Sequence, residues 1–171
     1  VAVVVGTGGI GMLIAERAFS FGMKVKAINA ENLPYLRAID RLYSPEELIE
    51  VIPKADVLFI AAPLTKKTKK IIGSKEMALM KSDSIIINVS RGGLIDTEAL
   101  TEHVSNGKFH SVGLDVTDPE PLPKNHYLFT SDKVIITPHI AGMSDNLSKR
   151  SFELIINNIR RFEKGMKLLN N

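Results

Sequence analysis

Short apolar runs recur along the chain, each ended by glycine, proline or a polar cluster, with helix-periodic stretches between them. Val1 to Val5 is a continuous, mostly β-branched run and reads as a parallel strand covered on both faces. Met23 to Ile28, Ala55 to Ala61, Ser84 to Asn88, Phe109 to Val116 and Lys133 to Ile136 predict further strands. Met12 to Phe21 is amphipathic and predicts a helix closed by Gly22. Ser44-Pro45-Glu46-Glu47 supplies a cap, a proline at the first helical position and first-turn acids, so a helix is expected from there to near Ile52. Thr68 with its neighbouring lysines, and Ser74 to Met80, are expected to form short helical turns. Asp96 caps a helix that Gly107 ends near Asn106. The last periodic stretch, Ser144 to Lys164, gathers Leu147, Phe152, Leu154, Ile155, Ile159 and Phe162 on roughly one face. Glu31 to Arg41 is poorly patterned, and Pro34 disfavours a long helix through it. Strands alternating with helices predict an α/β fold, a doubly wound parallel sheet of the Rossmann type. The expectation is a single dinucleotide-binding domain over 1–171, with a C-terminal helix over about 144–171.

Composition narrows this little. The 171 residues, 44% hydrophobic and 24% charged, suffice for one well-cored soluble domain. The absence of cysteine excludes disulfides, thiolate nucleophiles and cysteine-based zinc sites; it fits a cytoplasmic protein, and no metal is expected. Net charge is +3 and the pI about 9.1. The run Lys66-Lys67-Thr68-Lys69-Lys70 lacks interleaved aromatics and reads as a solvated helix face, so no nucleic-acid partner is expected. No apolar run approaches membrane-span length, and Val1 to Val5 lacks the flanks of a signal peptide. A chain that opens directly on a core strand is expected to be a piece of something longer.

Gly6-Thr7-Gly8-Gly9-Ile10-Gly11 stands between the first strand and the first helix, which is the proper context for a dinucleotide fingerprint. Gly6 makes the turn, Gly8 lets a pyrophosphate approach, and Gly11 lets helix and strand pack. The helix N-terminus offers unpaired N–H groups to phosphate. An acid is expected at the end of the second strand to hold the ribose 2′-hydroxyl of NAD, but Asn29 stands there, with Glu31 two residues on. The cofactor is thus NAD, with NADP possible.

Asn88-Val89-Ser90-Arg91-Gly92-Gly93 follows a strand and puts Arg91 at the carboxyl edge of the sheet, where ligands of open α/β sheets sit. An arginine there is suited to grip a carboxylate through two parallel hydrogen bonds. Glu120 and His139 fall at the same edge. A carboxylate beside an imidazole favours the charged ring. Such a ring can give a proton to a carbonyl oxygen while hydride reaches the carbon. His103, His110 and His126 have no comparable context and read as surface or core-edge residues.

With these motifs in order, together with Ala62-Pro63-Leu64-Thr65, Gly113-Leu114-Asp115-Val116, Glu120-Pro121 and Thr137-Pro138-His139, the chain resembles the NAD-binding domain of the D-isomer-specific 2-hydroxyacid dehydrogenases. The resemblance covers nearly the whole chain. It implies that Arg91 binds the substrate carboxylate and carbonyl, that His139 is the acid in ketoacid reduction and the base in hydroxyacid oxidation, and that Glu120 holds His139. It places Gly9 and Ile10 under the pyrophosphate and Asn29 near the adenosine ribose. Ala62, Pro63 and Thr68 would line the cofactor groove. Asp115 would bond the nicotinamide carboxamide, and Val89, Ser90 and Gly142 would contact the nicotinamide half. It further implies a small 2-hydroxyacid or 2-ketoacid substrate, a homodimer, and a second, substrate-binding domain missing from this chain, without which turnover is expected to be inefficient. Two alternatives share parts of the pattern. One is a non-enzymatic NAD-sensing module like the corepressors that resemble this family. The other is a hydrolase that uses NAD as a redox helper, against which the Arg91, Glu120, His139 order argues.

Overall fold

Successive residues of a strand point to opposite sheet faces, and the first strand, β1 (Ala2–Val5), is apolar throughout because both of its faces are covered. Ala2 and Val4 pack with Ala15 and Ala18 of helix α1 (Gly9–Ser20), while Val3 and Val5 join the larger cluster on the other face. The computed structural model describes residues 1–31 and 36–169, so Pro34 lies outside the described residues.

The remaining strands are β2 (Val25–Ile28), β3 (Arg41–Tyr43), β4 (Val57–Ile60), β5 (Ile85–Asn88), β6 (Ser111–Leu114) and β7 (Val134–Ile136). They form one sheet in the order β3-β2-β1-β4-β5-β6-β7. All six pairings are parallel, which gives the doubly wound Rossmann-type architecture. The chain winds outward from β1 in one direction to β3 and in the other from β4 to β7. The order therefore reverses between β1 and β4, and the crevice at that switch point lies over the carboxyl ends of both strands.

Three local expectations need correction. The poorly patterned segment ends in a strand, β3, which has an exposed Arg41 and buries only Tyr43. Short edge strands carry too little apolar pattern to be read. The helix expected from Ser44 is divided into a 3-10 turn (Pro45–Glu47), a short helix α2 (Leu48–Val51) and a second 3-10 turn (Ile52–Lys54). The capping box at its start is present, with the Glu47 carboxylate accepting from Ser44 N–H at 2.8 Å. The lysine run 66–70 is a series of turns rather than a helix face, and Lys70, at φ 52°, is tied to Asp96 at 3.0 Å.

Helices α3 (Ser74–Leu79) and α4 (Thr97–Ser105) complete the first of two compact units, Val1–His139. Asp96 caps α4, its Oδ1 accepting from Ala99 N–H. The second unit, Ile140–Asn171, carries helix α5 (Leu147–Glu163), which starts later than the expected Ser144. Its Phe152, Ile155, Ile159 and Phe162 are exposed. No helix among the described residues is long and apolar enough to cross a membrane.

Candidate active site

The glycine turn is shaped by close approach. Gly6 has φ 90°, and a Cβ there would lie 2.5 Å from Ala62 Cα, so the turn after β1 touches the end of β4 at the switch point. A Cβ on Gly11 would lie 1.9 Å from the Gly6 carbonyl oxygen. By contrast, Cβ atoms on Gly8 and Gly9 would meet nothing within 4 Å. Gly8 caps α1 without a side-chain bond, and no acid lies in the first turn. The first amides of a helix have no carbonyl one turn earlier, so this end presents open donors and positive dipole. Ile10 is exposed beside them.

Thr7 lies inside the same turn. It is 7% exposed, and among the described residues its Oγ1 is a buried side-chain polar atom without a hydrogen-bond partner. Its N–H donates to Asn29 Oδ1 at 3.4 Å, and Asn29 Nδ2 donates to the Glu31 carbonyl at 3.0 Å. The open cradle at Gly8 and Gly9, the bare helix terminus and the orphaned hydroxyl fit a phosphate-bearing, hydroxyl-rich group such as a dinucleotide.

After β4 the chain turns through Ala62 and Pro63. Thr68 Oγ1 donates to the Pro63 carbonyl at 2.7 Å and accepts from Thr65 N–H at 2.8 Å, which closes the loop on itself. After β5, buried Asn88 organises the next turn. Its Oδ1 accepts from Ser90 N–H at 3.1 Å and its Nδ2 donates to the Arg91 carbonyl at 3.0 Å. Ser90 Oγ donates to the Ala62 carbonyl at 2.5 Å, linking the two loops, and Val89 is half-buried beside it. Gly92 packs so tightly on the loop after β6 that a Cβ would lie 1.9 Å from the Thr117 carbonyl oxygen. Arg91 is exposed, with one guanidinium nitrogen bonded to the Ser90 carbonyl at 2.7 Å. Among the described residues it has no carboxylate partner.

A line of backbone bonds carries this geometry across the sheet edge. Asp115 N–H donates to the Asn88 carbonyl at 3.0 Å, and His139 N–H donates to the Asp115 carbonyl at 2.8 Å. Asp115 is 6% exposed, and its carboxylate accepts from Thr137 Oγ1 at 2.6 Å. Thr137 was not among the expected site residues, because nothing in its local sequence marks it as the partner of a buried acid. His139 Nδ1 lies 2.8 Å from Glu120 Oε1, with both side chains partly exposed. His139 also has φ 55°, the left-handed region that non-glycine residues avoid. A cavity of about 430 Å³ is lined by Asp115, Glu120, Thr137 and His139 on its polar side and by Leu122 and Phe129 on its apolar side. With Nδ1 held by Glu120, His139 Nε2 is the ring atom left to meet a ligand. Gly142 belongs to the second unit.

The fold and this edge define a nicotinamide dinucleotide domain. The family model described as D-isomer specific 2-hydroxyacid dehydrogenase, NAD binding domain, matches residues 1–141, and the chain belongs to that family. It is 37% identical over 166 residues to D-3-phosphoglycerate dehydrogenase of Methanocaldococcus jannaschii, covering 95% of this chain and 31% of that protein. It is 35% identical over 163 residues to glyoxylate reductase of Thermococcus gammatolerans, covering 95% of this chain and 48% of that protein. Among solved structures, a D-isomer specific 2-hydroxyacid dehydrogenase from Xanthobacter autotrophicus Py2, in complex with NADPH and MES, superposes with a TM-score of 0.90 at 28% identity. That match covers 99% of this chain and 69% of that one. The chain thus spans about half the length, or less, of these curated relatives.

Proposed function

We propose that this chain is the cofactor half of an enzyme that transfers hydride between a nicotinamide dinucleotide and a small 2-hydroxyacid or 2-ketoacid. The observation that carries this is the His139–Glu120 pair at 2.8 Å, set on the same sheet edge as Arg91 and the open glycine turn. The reduced nicotinamide supplies the hydride. Arg91 holds the substrate carboxylate by two parallel hydrogen bonds, which orients the ketone carbonyl towards His139. His139 Nε2 carries the proton that goes to the carbonyl oxygen as hydride reaches the carbon, and takes it back in the oxidative direction. Glu120 holds Nδ1 and fixes the ring's orientation and tautomer. The first-turn amides at Gly9 and Ile10 receive the pyrophosphate, with Gly6, Gly8 and Gly11 giving it room. Ala62, Pro63 and Thr68 line the groove, Asp115 bonds the nicotinamide carboxamide, and Val89 and Ser90 contact the nicotinamide half.

The relatives are longer than this chain, and the rest of the substrate pocket is assigned to a second domain of the whole protein. That protein is proposed to be a cytoplasmic homodimer. The exposed apolar residues of α5 favour a covering partner, and the cysteine-free sequence suits a reducing compartment.

The test is ketoacid-dependent oxidation of NADH by the full-length protein, with glyoxylate and hydroxypyruvate as substrates. Arg91→Ala is expected to raise KM for the ketoacid, and His139→Asn to lower kcat by about 10²–10⁴-fold. Full activity in either variant contradicts the assignment.

A further inference from the structure

Thr137 stands where the two groups that hydride transfer has to align come together. Its N–H donates to the Leu114 carbonyl at 2.9 Å, which carries the parallel β6–β7 pairing one residue past the end of β7. Leu114 pairs with Ile136, so the next pair in that register is Asp115 with Thr137, and their side chains share a sheet face. The Thr137 hydroxyl donates to Asp115 Oδ1 at 2.6 Å. The Thr137 carbonyl accepts from His139 N–H at 3.0 Å, and the Asp115 carbonyl accepts from the same N–H at 2.8 Å. Side chains thus join Thr137 to Asp115, and the backbone joins both to His139.

The hydroxyl bond is of the strong kind, since hydroxyl donors sit roughly 2.5–2.7 Å from ionised acceptors. Asp115 is 6% exposed, and a carboxylate so far from water depends on donors that the protein supplies. An ionised carboxylate accepts about four hydrogen bonds, so the bond from Thr137 orients the group without exhausting it. Threonine is branched at Cβ and stiff at its first torsion, which aims the hydroxyl at little entropic cost. Thr137 is itself exposed and lines the cavity beside His139, so it is not a core residue whose hydroxyl merely needs a partner.

We propose that Thr137 is a positioning residue, which aims the Asp115 carboxylate at the nicotinamide carboxamide and so sets the ring against the substrate carbonyl in front of His139. The inference rests on the nicotinamide reading above and adds a residue that acts through Asp115. A carboxamide and an acetyl group have nearly the same shape, but only the carboxamide has an N–H to give to a carboxylate. The hydroxyl of Thr137 therefore matters to a carboxamide cofactor and not to its acetyl analogue.

The test is a calorimetric titration of the full-length protein with NADH and with reduced 3-acetylpyridine adenine dinucleotide, beside ketoacid reduction with NADH. The proteins compared are the wild type, Thr137→Val, Thr137→Ala and Thr137→Ser. Thr137→Val keeps the shape and removes the donor. It is expected to weaken NADH by about tenfold, the size of one hydrogen bond to a charged group, and to lower kcat with NADH. Its affinity for the acetylpyridine cofactor is expected to stay within about twofold of the wild type. Thr137→Ala removes the same donor from a smaller side chain and is expected to give the same cofactor-dependent loss. Thr137→Ser keeps the donor and is expected to recover most of the NADH affinity and rate. Equal weakening of both cofactors, unchanged NADH binding in Thr137→Val, or a serine variant as poor as the valine one overturns the proposal while leaving the dinucleotide site standing. Binding of neither cofactor by the wild type overturns both readings together.

Discussion

His139 and Glu120 meet at 2.8 Å although nineteen positions separate them in the chain, and the His139 backbone is held at φ 55° while they do so. Two backbone bonds fix that conformation, from His139 N–H to the carbonyls of Asp115 and Thr137. A left-handed non-glycine residue costs roughly 1–2 kcal/mol, and such outliers collect where a side chain has to be aimed. His139→Gly is therefore expected to leave the unfolding free energy unchanged or raise it by about 1 kcal/mol, while ketoacid reduction by the full-length protein is lost. Urea denaturation beside a kinetic assay checks this; a large loss of stability contradicts the assignment of strain.

Glu120→Gln keeps an oxygen within reach of His139 but removes the charge. A loss of about a hundredfold in kcat is expected, with little change in KM for the ketoacid, because the proton-transfer step suffers and substrate grip does not. A change confined to KM places Glu120 in substrate binding instead.

Gly11 and Gly9 differ in what a methyl group would meet: a backbone oxygen at 1.9 Å in one case, open space in the other. Gly11→Ala is expected to destabilise the protein by about 3 kcal/mol through overpacking that backbone cannot relieve. Gly9→Ala is expected to be neutral or slightly stabilising, since alanine is the better helix former. Equal effects in denaturant midpoints would falsify the close-packing account of the turn.

Asp96 caps α4 and pairs with Lys70. The Lys70 hydrogen bond, above all, holds the Asp96 carboxyl below its ordinary range, and Asp96 in turn raises Lys70. The carboxyl is the depressed group, so its contribution is present above about pH 4 and is lost as pH falls through the lower folded value. Lys70 contributes below about pH 10 and loses its contribution as pH rises through its own raised value. Half of the Lys70 side chain is exposed, so water screens the pair and the effect is small. Asp96→Asn is expected to be less stable than wild type at neutral pH, with the gap closing as the pH is lowered towards about 3. A gap independent of pH would leave capping alone as the role of Asp96.

Much of this was legible from the residues. The continuous apolar run of β1 told of a strand buried on both faces, and its two faces do feed two separate clusters. The glycine turn, the Asp96 cap and the alternation of strands and helices were readable because each is a local pattern with a local cause. What escaped was set at a distance. β3 has three residues and buries one, so its pairing with β2 decides it rather than its own hydropathy. Lys70 looked like part of a solvated face, yet its partner Asp96 lies on a loop met only in three dimensions. Thr137 and Thr7 are small polar residues whose weight comes from a buried carboxylate in one case and, in the other, from a buried hydroxyl without a partner among the described residues.

The central claim is that the bare N-terminus of α1 receives the dinucleotide, and Gly8→Asp tests it most directly. Aspartate is a good helix cap and its Cβ meets open space, so the fold is expected to hold or tighten. Its carboxylate then occupies the place of the pyrophosphate. Titrating NADH into wild type and Gly8→Asp, with melting temperatures measured alongside, is expected to give saturable binding in the first and none in the second, at equal or higher stability. Equal binding by the two proteins, or none by the wild type, contradicts the account.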